Sequence, residues 1–307
     1  IEKCWSQDPS ERPTFDEIVF QLKNNKEFIT EDINEEEYHG YIKYIDESPI
    51  TFDNDRHIKQ LDDMIDSIRR KFDQSKIDLK IRNQADLEAD LNLEKYDNSL
   101  RKNNSLFEYF TFKKITDKET KIKYSALIYK LEMNKLVRSE IVNFCRMVNI
   151  ISKLNHPSIL RLIGYSSVNF DKELKPVIVK ENVKFDSLDD AIKREMKQKK
   201  YGFFGTKKLI FIYGIAAGMS YLHSHDIIHR DLKTENIYFD KYYLPKIDGF
   251  HIVKELKLEP SHHIKGTPAY LAPEVYLRNE YSKASDVYSF AFIVYEMMMG
   301  SYSYPFD

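Results

Sequence analysis

Residues 229–251 read HRDLKTENIYFDKYYLPKIDGFH. Side chains able to carry protons or bind cations, His229, Asp231, Lys233 and Asn236, crowd the start of this stretch, ahead of a segment, Leu244 to Ile247, that should be extended. Along a strand the side chains alternate faces, so the neighbours Asp248 and Gly249 cannot simply stand in for one another. The surrounding chain is ordinary: 307 residues, 42% hydrophobic and 31% charged, with a formal net charge of -2. That is a soluble globular composition, long enough for a two-lobed domain with additions. Near-neutral charge gives no reason to expect a nucleic-acid partner, and the basic run Lys197 to Lys200 reads as a solvated helix end or loop. Cys4 and Cys145 lie far apart without metal-ligand spacing, as in a reduced cytoplasmic protein without disulfides. No apolar run has the length of a membrane span, and no signal peptide is recognisable.

The first half of the stretch resembles the catalytic loop of eukaryotic protein kinases, pattern HRDLxxxxN, matched at His229, Arg230, Asp231, Leu232 and Asn236. The resemblance implies that Asp231 accepts the proton of the attacking hydroxyl and that Asn236 holds Mg²⁺ against the phosphates of ATP. Lys233 is the choice of serine/threonine kinases, reaching the transferred phosphate as a point charge. The spacing places the family's DFG triplet on Gly249, Phe250 and His251, so glycine stands where the metal-binding aspartate belongs. Asp248 is a rival metal ligand one place early, and the preferred reading makes it a solvent-facing or turn residue. Downstream, GTPAYLAPE at Gly266 to Glu274 resembles the substrate-receiving loop and APE motif, and SDVYSF at Ser285 to Phe290 the long buried helix of the large lobe. There Asp286 would bind the catalytic-loop backbone. His229, Arg230, Phe250 and Glu274 take structural roles in the same pattern. The wording is similar to that of the tyrosine-kinase-like group of serine/threonine kinases. Ser261 is the candidate phosphosite, with Thr267 matching a structural threonine.

The implied fold is α+β and two-lobed, with a small mainly β lobe and a larger mainly α lobe, truncated after the long buried helix. In the small lobe, LNHPSILRLIGYS at Leu154 to Ser167 sets the register. Counting back from His156 puts the helix glutamate on Met147, a simple core residue beside Phe144, Val148 and Ile151. The strand lysine of the pattern AxK falls on Ile128, read from Ala126, with Lys130 of the same parity as a substitute. The residue guarding the nucleotide pocket is Lys180, which is costly there unless it pairs or snorkels out; it too could replace the missing lysine. Glu181 beside it counts among the nucleotide-contacting positions. A phosphate loop needs glycines, and none occurs between Gly40 and Gly164; the turn in its place, Ile115 to Thr120, carries acidic residues.

Phosphoryl transfer is mostly positioning and charge neutralisation. These losses therefore predict a pseudokinase that serves as scaffold or allosteric partner to a protein substrate or partner kinase. The alternative is an active serine/threonine kinase using Asp231 as base, Asn236 and Asp248 for Mg²⁺, and Lys130, Lys180 and Glu181 for ATP.

The N-terminus, CWSQDPSERPTF at Cys4 to Phe15, resembles the tail helices of a kinase large lobe. The preferred reading makes residues 1–25 the tail of a preceding kinase domain, 26–105 an acidic helical linker, and 106–307 a kinase-like domain, the whole a fragment of a tandem-kinase protein. The second reading has Arg12 pair with Glu274 and close the chain's own large lobe. Within the linker, Tyr38, Tyr41, Ile42 and Ile45 have helical spacing, and Ile58 to Leu79 has three-and-four spacing. The linker could pack on the kinase domain as an amphipathic helix, or self-associate as a short coiled coil. Residues 83–105 stay open between helix and disorder.

Overall fold

The computed structural model describes residues 2–53, 91–94, 110–117, 122–132, 138–166, 169, 173–198, 205–250, 254–255 and 266–300. The stretch Ile58 to Leu79, read as a possible coiled coil, lies outside them, as do Ser261 and the tip of the turn after Asp117. The chain divides into two compact units, one made of Thr51–Asn155 and Leu160–Val183, the other of Ile1–Ile50, His156–Ile159 and Lys184–Asp307.

The first unit is the sheet-rich one. After β1 (Thr51–Phe52), strands β2 (Leu91–Glu94), β3 (Phe110–Asp117), β4 (Lys123–Tyr129), β6 (Leu162–Ser166) and β7 (Val177–Glu181) form an antiparallel sheet in the order β2-β3-β4-β7-β6. Leu91 to Glu94, within the segment left open by the sequence, therefore make an edge strand. The β-branched and aromatic content of KYSALIY and VIVKE suits a pleated, packed surface. Ala126 pairs with Val179 and Ile128 with Val177, and together with Ile115 these five residues make a buried apolar cluster on one face. The other face carries Tyr129, whose ring meets Phe144 edge-on at 5.6 Å. Phe144 belongs to helix α3 (Arg138–Lys153), and also faces Tyr165. The apolar side expected of that helix is present, with Phe144, Met147, Val148 and Ile151 all buried. Each such side chain contributes roughly 1.5–3 kcal/mol through burial. The short β5 (Leu154–Asn155) pairs with β1.

The second unit is helical. Helix α5 (Thr206–Ser224) and helix α7 (Lys283–Met299) are apolar on almost every side, as helices at the centre of a core must be. A three-stranded sheet, β11-β10-β8, places β10 (Ile237–Phe239) between β8 (Lys184–Ser187) and β11 (Pro245–Ile247); β9 (Ile227–Ile228) pairs with β12 (Lys254–Glu255). Helices α4 (Leu188–Gln198) and α6 (Pro273–Arg278) complete it.

The N-terminal segment folds into this same unit. Helix α1 (Phe15–Asn24) starts at a capping box between Thr14 and Glu17, which satisfies two otherwise orphaned amides. Phe15 at its start is buried between His223 and Phe290, with ring centroids at 5.0 and 5.3 Å. Arg12, just before the helix, donates from Nη1 and Nη2 to the two carboxylate oxygens of Glu274 at 2.7 and 2.9 Å, and from Nη1 to the carbonyl of Ala284. Arg12 and Glu274 are thus paired within the chain. Helix α2 (Glu35–Glu47) realises the helical spacing of Tyr38, Tyr41, Ile42 and Ile45, all buried, and packs on α5. No described helix is long and apolar enough to cross a membrane.

Candidate functional site

In the helical unit the site is the loop from His229 to Asn236. A carboxylate from α7 holds its backbone: Asp286 accepts from the amides of His229 and Arg230, both at 2.9 Å, and from Nε2 of His223. Those bonds offset a cost, because Arg230 has φ of +71°, a conformation that disfavours residues with a Cβ. Its guanidinium stacks on Tyr281 at 3.9 Å. Asp286, His229 and Arg230 are thus bound to one another through the loop backbone, and Glu274 pairs with Arg12.

The reactive side chains converge. Asp231 Oδ1 accepts from Thr267 Oγ1 at 2.9 Å and Oδ2 from Asn236 Nδ2 at 2.9 Å. Lys233 Nζ donates to Thr267 Oγ1 at 2.7 Å and stands 3.6 Å from Asp231 Oδ2. Carboxylate, ammonium and hydroxyl therefore form one hydrogen-bonded set. Asn236 is anchored by a second bond to the carbonyl of Asp231, which leaves its buried Oδ1 accepting no hydrogen bond among the described residues.

Gly249 has φ of +93°, and a Cβ there would overlap the carboxamide of Asn236. Phe250 is buried against the ring of His229 at 5.1 Å, so it fills the core slot that the spacing gave it. Asp248 is not the solvent-facing or turn residue expected. It is buried, its amide donates to the carbonyl of Asn236 at 2.8 Å, and its own carbonyl accepts from His229 Nε2 at 2.9 Å. Among the described residues no group of three or more His, Cys, Asp or Glu is placed to hold a metal.

Sequence reasoning overlooked a buried carboxyl behind this loop. Glu296 on α7 accepts from Tyr270 Oη at 2.6 Å, and Tyr270 Oη lies 2.9 Å from Thr234 Oγ1. Burial pushes the Glu296 carboxyl up to about 7. Burial likewise raises Asp189 and Glu235. The available signal was an acidic residue inside the apolar run Val287 to Met299.

In the sheet unit the nucleotide-contacting candidates separate. Ile128 lies in the apolar cluster on the face away from Phe144, and strand alternation puts Leu127, with Tyr129, on the face toward α3. The side chains that face α3 are therefore the two neighbours of Ile128, Leu127 and Tyr129, and neither is a lysine. Lys130 is exposed just past the end of β4. Lys180 does not snorkel; it is 6% exposed and, paired across from Ser125, shares the α3-facing side with Leu127 and Ile178. Glu181 is committed elsewhere: its Oε1 accepts from the amide of Arg161 at 2.9 Å, and its amide donates to the Arg161 carbonyl at 3.0 Å. Met147 is buried, with no carboxylate at its position.

A family model for the protein kinase domain matches residues 109–307. A probable serine/threonine-protein kinase of Dictyostelium discoideum is 34% identical over 182 residues, which are 58% of this chain and 13% of that protein. Cysteine-rich receptor-like protein kinase 10 of Oryza sativa subsp. japonica is 35% identical over 160 residues, 49% of this chain and 24% of that protein. Cysteine-rich receptor-like protein kinase 42 of Arabidopsis thaliana is 34% identical over 170 residues, 53% of this chain and 25% of that protein. The chain thus spans a quarter or less of the length of these relatives. With the loop geometry and the match to more than half of its residues, the chain belongs to the protein kinase family.

Proposed function

We propose that this kinase homologue, of the tyrosine-kinase-like serine/threonine type, works in signalling as a pseudokinase, a scaffold or allosteric partner for another protein. Gly249 carries the reading. The family's metal aspartate is absent there, and a Cβ at 249 would overlap the carboxamide of Asn236. The donor set does not fit magnesium held in the family manner, since Asn236 Oδ1 is present without a carboxylate at 249. Leu127, Ile128 and Met147 support the same reading, because none can pair a lysine with a glutamate. Residues 2–24 are read as large-lobe tail helices on the strength of the Arg12–Glu274 pair.

Thermal unfolding of the chain with and without Mg²⁺ and ATP tests this. A ligand that binds only the folded state raises the midpoint. The expected result is an unchanged midpoint; a Mg²⁺-dependent rise that saturates with ATP would overturn the reading.

A second reading, residual serine/threonine phosphorylation with Asp231 as base, is favoured by the assembled set of Asp231, Lys233 and Thr267. It requires that Asp231→Asn abolish phosphate transfer to a test protein. Transfer that survives the substitution rules it out.

A further inference from the structure

Helix α2 lies outside the residues that match the kinase family, yet it reaches the strand that leads to Asp248 and Gly249. The meeting point is Gly214, midway along α5. A Cβ at 214 would overlap both Pro245 Cγ on β11 and the hydroxyl of Tyr41 on α2, so these three elements touch there. Glycine inside a helix costs about 1 kcal/mol relative to alanine, and this close approach is the compensating reason. Tyr41 is 5% exposed, its ring is edge-on to Tyr213 at 6.1 Å, and its hydroxyl lies 3.4 Å from Ser158 Oγ. The carbonyl of Ser158 accepts from the amide of Ile247 at 2.7 Å, and Ile159 bridges Ile247 in parallel. The next residue, Asp248, donates its amide to Asn236.

β11 is held on one edge by β10 and on the other by Ser158 and Ile159. We propose that α2 is a brace for that second edge, with Tyr41 as a positioning residue that fixes Pro245 to Ile247 and hence the backbone of Asp248 and Gly249. The α5 surface around Tyr213 and Gly214 is then an interaction surface for an amphipathic helix carrying apolar residues at the spacing of Tyr38, Tyr41, Ile42 and Ile45. Docking is fastened further by Tyr38 Oη, which donates to the carbonyl of Leu22, by the amide of Asn34, which donates to Thr206 Oγ1, and by the pair Lys207 with Glu37. An element outside the residues that match the kinase family would in this way govern how firmly the triplet region is held. The inference does not depend on whether the chain transfers phosphate.

General packing and bracing differ in where loosening shows. If α2 were only covering apolar surface, its loss would loosen α5 beneath it; a brace loosens β11 first. Amide hydrogen exchange on the full chain separates these. In Tyr41→Ala the amides of Ile247 and Asp248 are expected to exchange roughly ten-fold faster or more, while α5 and the β4–β7 ladder keep their rates. Unchanged exchange at Ile247 and Asp248, or equal acceleration along α5, would overturn the proposal. Should Tyr41→Ala fail to fold, Lys207→Glu reads the same amides from the rim. It is expected to accelerate them by roughly two- to three-fold, and Glu37→Lys in the same chain to reverse it; no acceleration, or none reversed, would overturn the docking that the brace requires.

Discussion

The loop around Asp231 and the strand–helix pair β4 and α3 have met opposite fates. In the loop every ionisable residue of the motif is kept, and several of the groups bond to one another: Asp231 with Thr267 and Asn236, Lys233 with Thr267, Asp286 with two amides and His223. On β4 and α3 the positions that would hold a lysine and a glutamate carry Leu127, Ile128 and Met147, all buried. On the pseudokinase reading proposed above, the difference follows from what each site costs to replace. A buried ion pair is expensive to break on one side but cheap to replace whole with apolar residues. A closed hydrogen-bond set that also shapes the backbone has no cheap replacement, because removing a member leaves buried donors orphaned. Polar residues can thus outlast their chemistry where they support one another.

The largest test of that contrast uses the other buried pair, Arg12 with Glu274. Arg12→Met alone should lower stability by about 3–5 kcal/mol, because it strands a carboxylate. Arg12→Met with Glu274→Met should recover most of the loss. Urea midpoints of the three proteins measure it, and a double variant no better than the single would break the rule inferred from β4 and α3.

Glu296 gives the next largest effect, through pH. Burial raises its carboxyl from an ordinary value of 4.5 to about 7, so the folded chain holds that proton more tightly than the unfolded one. Its contribution is complete below 4.5 and is lost as pH rises through 7, on the order of 3 kcal/mol in all. His156 works in the opposite sense: burial lowers it to about 4, so its contribution is present above 6.5 and is lost as pH falls through 4. Unfolding midpoints at pH 5 and pH 8 should converge in Glu296→Gln, which keeps an acceptor for Tyr270; a pH slope like that of the unchanged chain would remove Glu296 as its source.

The smallest is Gly249→Asp, which restores the family's carboxylate. It should cost about 1–3 kcal/mol, since the residue must take a positive φ against Asn236. It should also leave the midpoint insensitive to Mg²⁺ and ATP, because the lysine pair is still absent. A nucleotide-dependent rise in this variant would show the triplet to be the sole defect.

The loop was legible because its motif is contiguous: HRDLKTEN named the residues that meet in space. The sheet was harder, since the AxK pattern read from Ala126 fixes a parity but not which face meets α3, and the contact of Tyr129 with Phe144 supplies that. Lys130 looked useful by parity until the strand ended before it. Glu181 sits beside the expected pocket in sequence, but its partner Arg161 is 20 residues earlier, a contact no local pattern reports. The spacing of Tyr38, Tyr41, Ile42 and Ile45 gave a helix and its buried side. What it packs against depended on Gly214, whose missing side chain has no periodic signature.

The Arg12–Glu274 pair joins residues 262 apart, and that separation sets a clock on synthesis. At roughly 5–20 residues per second, Arg12 leaves the ribosome about a quarter of a minute to most of a minute before its partner exists. For most of that interval Phe15, Tyr38, Tyr41 and Ile45 lack the helices that cover them in the fold, since α5 is made late in it and α7 only after it.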